Sequence, residues 1–187
     1  TLVGDNKIEC DAPLDLNNCT LTIKGSTITA ANGVQICSGS LKIEETTITA
    51  SGADNSKSHT GDGTIDDGAA ISIVNRGYPA GLGTIEIISG TFKAANDVDA
   101  IKAYDWANNQ ASDFTMNERV SVSGGEFSTR VPDGLCADGY APTDKQANGL
   151  YTVDVISTEA SYIDANGKLH LGQLKDLLYL SDSKGMK

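Results

Sequence analysis

The sequence predicts an all-β protein, a short right-handed parallel β-helix of about four to five coils, because strand-length apolar patterns repeat in a fixed register. The spacing apolar-x-apolar-x-x-x-x-apolar occurs at Leu21, Ile23 and Ile28, at Leu41, Ile43 and Ile48, at Ile85, Ile87 and Phe92, and at Val120, Val122 and Phe127. In each copy a small residue follows two positions later, at Ala30, Ala50, Ala94 or Thr129. Three copies are followed by another short apolar alternation, at Val34 and Ile36, at Ala70, Ile71 and Ile73, and at Val98, Ala100 and Ile101.

The first two apolar positions alternate with polar ones, the period of a strand with one buried face. The polar or Gly-containing stretch before the third marks a corner into a second strand, and the following alternation supplies a third. Three short strands per repeat describe one coil. An earlier partial coil spans Ile8 to Leu16. Copies begin at residues 21, 41, 85 and 120, so the separations are 20, 44 and 35. The shortest matches a bare coil, and the others carry insertions that leave at corners. With coils ~4.8 Å apart, four or five make a prism about 20 Å high. Gly25, Asn32, Gly33, Gly90 and Gly124 fall where corners need positive φ or close approach. An antiparallel sandwich also uses short alternating strands, but it does not require one spacing four times over.

From residue 140 the pattern changes. Asn148-Gly149 lies before Leu150, Tyr151, Val153 and Val155, which predicts a hairpin that caps the open end of the prism. Residues 1–156 therefore form the β-helix with its hairpin cap. Residues 157–187 read as a small appendage or the start of a following module. There a second turn at Asn166-Gly167 precedes Leu171, Leu174, Leu177, Leu178 and Leu180, whose spacing predicts a hairpin followed by one amphipathic helix.

Composition narrows the function. With 25 acidic and 14 basic residues the net charge is −11, which repels nucleic-acid backbones and anionic lipid headgroups. No apolar run approaches the ~20 residues that span a bilayer, so direct membrane insertion is not expected. Cys10, Cys19, Cys37 and Cys136 are too scattered for a CxxC metal knuckle. They read mostly as buried thiols, with one bridge among Cys10, Cys19 and Cys37 as the alternative.

Leu14-Asp15-Leu16-Asn17-Asn18-Cys19-Thr20-Leu21-Thr22-Ile23 resembles the LDLNGHTLTI phrase of bacterial surface and secreted β-helix proteins with pectin-lyase-like architecture, with Cys19 where His is usual. Gly124-Gly125-Glu126-Phe127-Ser128-Thr129, Cys136-Ala137-Asp138-Gly139-Tyr140 and Asn148-Gly149-Leu150-Tyr151-Thr152-Val153 resemble a recurrent ending in large surface proteins of gut Firmicutes. The resemblance covers roughly residues 8 to 155. It implies an extracellular protein, secreted or attached to the cell wall, and supplies no chemistry.

Two constellations are candidate sites. Asp62, Asp66 and Asp67 lie in a Gly-rich acidic loop that could hold calcium, the one cofactor the sequence suggests. It is not an EF-hand: aligning Asp62 to the fifth loop position puts Ala69 at the twelfth, where a bidentate Glu is needed. The plain alternative is a solvated acidic loop. The insertions at residues 74 to 84 and 102 to 119 leave equivalent corners and hold Tyr78, Tyr104 and Trp106 beside Asp105, Asn108 and Asn109. Aromatic faces next to amides and carboxylates suit a sugar. The alternative is that these rings cover their own loops.

The expected function is therefore a non-catalytic surface module for adhesion or carbohydrate binding, whose partner is a polysaccharide, a glycoprotein or another copy of the surface protein. The second reading is a fragment of a polysaccharide lyase or hydrolase, for which Asp97 and Asp99, with Lys102 just beyond, are candidate groups, and Arg76, Arg119 and Arg130 are the only arginines. The third is a purely structural stalk repeat.

Overall fold

The computed structural model describes residues 2–10, 14–16, 19–55, 65–75, 82–105, 119–156, 159–163 and 169–173, with side chains described for 20–55, 65–75, 82–104 and 119–156. The described residues are all-β, and the chain divides into two units, Thr1–Asp154 and Val155–Lys187.

In the first unit the strands are β1 (Leu2–Cys10), β2 (Leu14–Leu16), β3 (Cys19–Ala30), β4 (Val34–Ile36), β5 (Gly39–Glu44), β6 (Thr46–Ala50) and β7 (Ile71–Asn75). They continue with β8 (Leu82–Ile87), β9 (Gly90–Lys93), β10 (Ile101–Asp105), β11 (Val120–Val122), β12 (Glu126–Phe127), β13 (Tyr140–Pro142) and β14 (Tyr151–Val155).

These strands pair in three parallel ladders. In the first, the start of β3 pairs with β5, β5 with β8 and β8 with β11, which aligns Ile23, Ile43, Ile87 and Val122 in one column. In the second, the end of β3 pairs with β6, β6 with β9 and β9 with β12, aligning Ile28, Ile48, Phe92 and Phe127. The third runs β2, β4, β7 and β10, aligning Leu14, Val34, Ile71 and Ile101. The repeated spacing thus places like residues over like, the register in which every layer buries the same face.

One bent strand joins the first two ladders. β3 turns at Gly25, whose φ of +58° a side chain would resist, and its two halves enter different ladders. β1 follows both halves, with Leu2 opposite Ile23 and Ile8 opposite Ile28.

All three ladders face one aliphatic core. Ile23, Ile28, Ile36, Ile43, Ile48, Ile71, Ile73, Ile85, Ile87, Phe92 and Phe127 are completely buried within a single cluster. Phe92 and Phe127 replace the two isoleucines of their column and stack with centroids 5.0 Å apart. At the end of this core, Val131 and Leu135 are buried around a 3-10 turn at Asp133–Leu135. There the ladder ceases to be parallel: β14 runs antiparallel to β12, and β13 lies beside β14. The Asn148-Gly149 turn carries Gly149 at φ +83°.

The second unit contains an antiparallel pair, β15 (Glu159–Ile163) and β16 (Leu169–Gln173), around the turn expected at Asn166-Gly167. Leu171, expected to open a helix, instead lies in β16 opposite Ser161. The other helix positions, Leu174 to Leu180, lie outside the described residues. Among the described residues no helix is long and apolar enough to cross a membrane.

Candidate functional site

Two places on the first unit concentrate polar side chains, and one of them joins the two constellations that the sequence singled out separately. Along the third ladder, Val34, Ile36, Ile71, Ile73 and Ile101 face the main core. The alternate residues Gln35, Ser72, Val74 and Tyr104 face the other way and are buried too. They are covered by the segment before β7, whose Ile65 packs with Cys37, Val74 and Tyr104 in a second small apolar cluster.

Side-chain amides hold that cover down. Asn32 Nδ2 donates to Asp66 Oδ1 at 2.9 Å, while Asn32 Oδ1 accepts from the Asp67 and Gly68 amides at 3.0 and 2.8 Å. Gln35 Oε1 accepts from the Ile65 amide at 2.9 Å, and Gln35 Nε2 contacts Cys37 Sγ at 3.2 Å. Asp67 is completely buried. Its carboxylate accepts from the Ala69 amide at 2.9 Å, from the Ser72 hydroxyl at 2.7 Å and from the Tyr104 hydroxyl at 3.0 Å. Buried polar groups survive folding when their bonds are made, and this carboxylate's are.

These contacts bear on the candidate residues. Asp66 and Asp67 engage protein donors, and among the described residues no group of three or more His, Cys, Asp or Glu side chains is placed to hold a metal ion. Asp62 lies outside the described residues. The sequence predicts a loop at Tyr104, but β10 runs on in register with β7 through Asp105, so Tyr104 sits in a strand opposite Val74, 8% exposed. The apolar alternation through Ile101 continues one step further, to Ala103 opposite Ile73. Tyr78, Trp106, Asn108 and Asn109 lie outside the described residues, and Asp105 is placed by its backbone alone. Asp97 and Asp99 are exposed on either side of buried Val98, and Lys102 pairs with Asp54 at 2.8 Å.

The second place is a cleft of about 470 Å³ at the end of the first ladder. Thr84 and Glu86 project outward from β8, and Ser121 from β11. Ile88, Arg119, Val120 and Ser123 complete the strand side, and Cys136, Ala137 and Asp138 form the opposite wall. The wall is fixed by backbone pairing: Cys136 bridges Val122 in parallel, and the Ala137 amide donates to the Val122 carbonyl at 2.8 Å. Arg119 is anchored by a hydrogen bond from Nη1 to the Leu82 carbonyl. Burial pushes the Cys136 thiol pKa up, Asp133 adds to the rise, and Arg130 opposes it. This keeps the thiol protonated at neutral pH.

No signal in the repeat pointed to this cleft. Glu86 and Ser121 are the outward partners of Ile85, Ile87, Val120 and Val122, and the wall comes from a segment that no periodicity marked.

Beside the cleft on the same ladder, Lys24 and Lys42 each reach Glu44 at 2.8 Å. Their hydrogen bonds and charges lower the Glu44 pKa to about 2.

Comparison with known proteins returns no match: no family model fits the chain, and no curated protein or solved structure is similar to it.

Proposed function

We propose that this chain is a non-catalytic extracellular module, built as a right-handed parallel β-helix, that binds a polysaccharide or glycoprotein through its outer surface. The observation that carries the reading is the register: three parallel ladders with aligned apolar columns around one core. Such stacking makes a rigid support whose outward residues are free to vary with the ligand. The pectin-lyase-like resemblance in residues 8 to 155 supports the same fold and an extracellular, secreted or wall-attached setting.

Within this reading the cleft is the primary contact surface. Hydroxyls from Thr84, Ser121 and Ser123 and carboxylates from Glu86 and Asp138 offer the directional hydrogen bonding that sugar hydroxyls require. The volume falls within the range of about 300–1,000 Å³ typical of small-ligand sites. Tyr78, Trp106, Asn108 and Asn109 remain a second candidate surface on the strength of their chemistry.

A glycan array probed with the whole chain tests the proposal. Ser121→Trp fills the cleft, while Trp106→Ala removes the loop aromatic. The expected result is a set of bound glycans that Ser121→Trp abolishes without changing the melting temperature. Loss with Trp106→Ala alone moves the site to the loops, and a blank array with intact protein sinks the binding function altogether.

The two carboxylates in one cleft favour a second reading, a polysaccharide hydrolase that uses Glu86 and Asp138 as an acid–base pair. Release of reducing ends from a bound polysaccharide, lost in Glu86→Gln, would establish it over the non-catalytic one.

A further inference from the structure

We infer that the cleft between β8, β11 and the Cys136–Asp138 wall selects saccharides that carry ammonium groups, as in oligomers of glucosamine, and rejects uronates. The inference rests on the glycan-binding reading and adds the ligand's charge to it.

Three ionised groups line the cleft: Glu86, Asp138 and Arg119. The guanidinium donates one N–H to the Leu82 carbonyl of β8, so part of its fork is used within the strand pair. The carboxylates differ in position. Glu86 extends from near the end of β8 on the floor, and Asp138 is exposed on the facing wall. A ligand lying between them meets a carboxylate on each side, together with the hydroxyls of Thr84, Ser121 and Ser123. An ammonium group donates three hydrogen bonds and accepts none, so it matches carboxylate and hydroxyl acceptors.

The surroundings reinforce this sign. The next outward residue along the ladder from Glu86 is Lys42, whose ammonium bonds Glu44 at 2.8 Å and feels the Glu86 charge more weakly. The Cys136 thiol is protonated and adds no charge of its own. The chain carries a net −11, so a polyanion is also repelled before it reaches the cleft. Ile88, half-buried at the cleft, supplies apolar contact for the C–H side of a sugar ring.

The test titrates the whole chain with three probes of equal length: a glucosamine tetramer, the same tetramer N-acetylated, and a galacturonate tetramer. At low salt the free-amine tetramer binds about tenfold more tightly than the acetylated one, and the galacturonate shows no heat. The double variant Glu86→Gln with Asp138→Asn loses that preference and keeps the neutral affinity.

Ser121→Trp leaves the net charge unchanged and fills the cleft, so it abolishes binding of the amine probe. If Ser121→Trp still prefers the amine, the attraction belongs to the protein's overall charge and the inference falls. It falls equally if galacturonate binds as well as glucosamine, or if none of the three probes binds while other glycans on the array do. In those cases the glycan-binding reading stands, whereas an array with no bound glycan removes both.

Discussion

Asp67 shows how one residue's role depends on partners distant in sequence. As part of an acidic Gly-rich loop it resembles a metal ligand, yet it accepts hydrogen bonds from Ala69, from Ser72 five positions away and from Tyr104 thirty-seven positions away. Removing the carboxylate takes this acceptor from three buried donors, and a buried hydrogen bond lost costs about 1–3 kcal/mol. Asp67→Ala should therefore destabilise the first unit by about 3 kcal/mol in urea denaturation, and Ser72→Ala by less, because it removes one donor and leaves the carboxylate its other two. An unchanged midpoint for Asp67→Ala would mean that the cover over Tyr104 is not held by this group. Glu44 makes a different prediction on the opposite type of site. Its folded pKa of about 2 lies below its ordinary 4.5, so its pairing with Lys24 and Lys42 stabilises the fold fully above pH 4.5. That contribution fades as the pH falls towards 2. The melting temperatures of wild type and Glu44→Gln should differ at pH 6, converge near pH 2 and move closer at pH 6 in 1 M salt.

At the scale of the element, the repeat translates directly into register. Ile43 lies between Ile23 and Ile87 in its column and is completely buried, so Ile43→Ala should cost about 2–5 kcal/mol by calorimetry or chemical denaturation. Lys42→Ala, on the opposite face of the same strand, should cost less than about 1 kcal/mol, since it loses only an exposed ion pair. Gly90 begins β9 at φ +140°, and a side chain there would overlap the Thr46 carbonyl. Gly90→Ala should accordingly lower the melting temperature although it removes no contact. The extent of β10 was less legible. Periodicity predicts that Ile101 turns inward, but the strand continues to Asp105 because β7 supplies five residues of parallel partners. A strand ends where its neighbour ceases to accept its backbone, and the neighbour here is thirty residues earlier in the chain.

For the molecule as a whole, the core cluster of the first unit runs, among the described residues, from Ile23 to Val153. A chain ending at Asp154 should therefore unfold cooperatively with a melting temperature within a few degrees of that of the first unit in the whole chain. A broad, non-cooperative melt of the shortened protein would show that residues 155–187 complete the fold. The columns at Ile23, Ile28 and Val34 and the hairpin around Asn148-Gly149 could be read without coordinates. Such features depend on alternation within a few residues and on a turn with its own local conformational demand, so nearby chemistry suffices to specify them. The buried seat of Tyr104, the amide ties of Asn32 and Gln35 to the cover, and the cleft between Glu86 and Asp138 could not. These depend on which layers become neighbours and where an insertion comes to rest, and polar side chains leave no periodic trace of partners that only stacking brings within hydrogen-bonding distance.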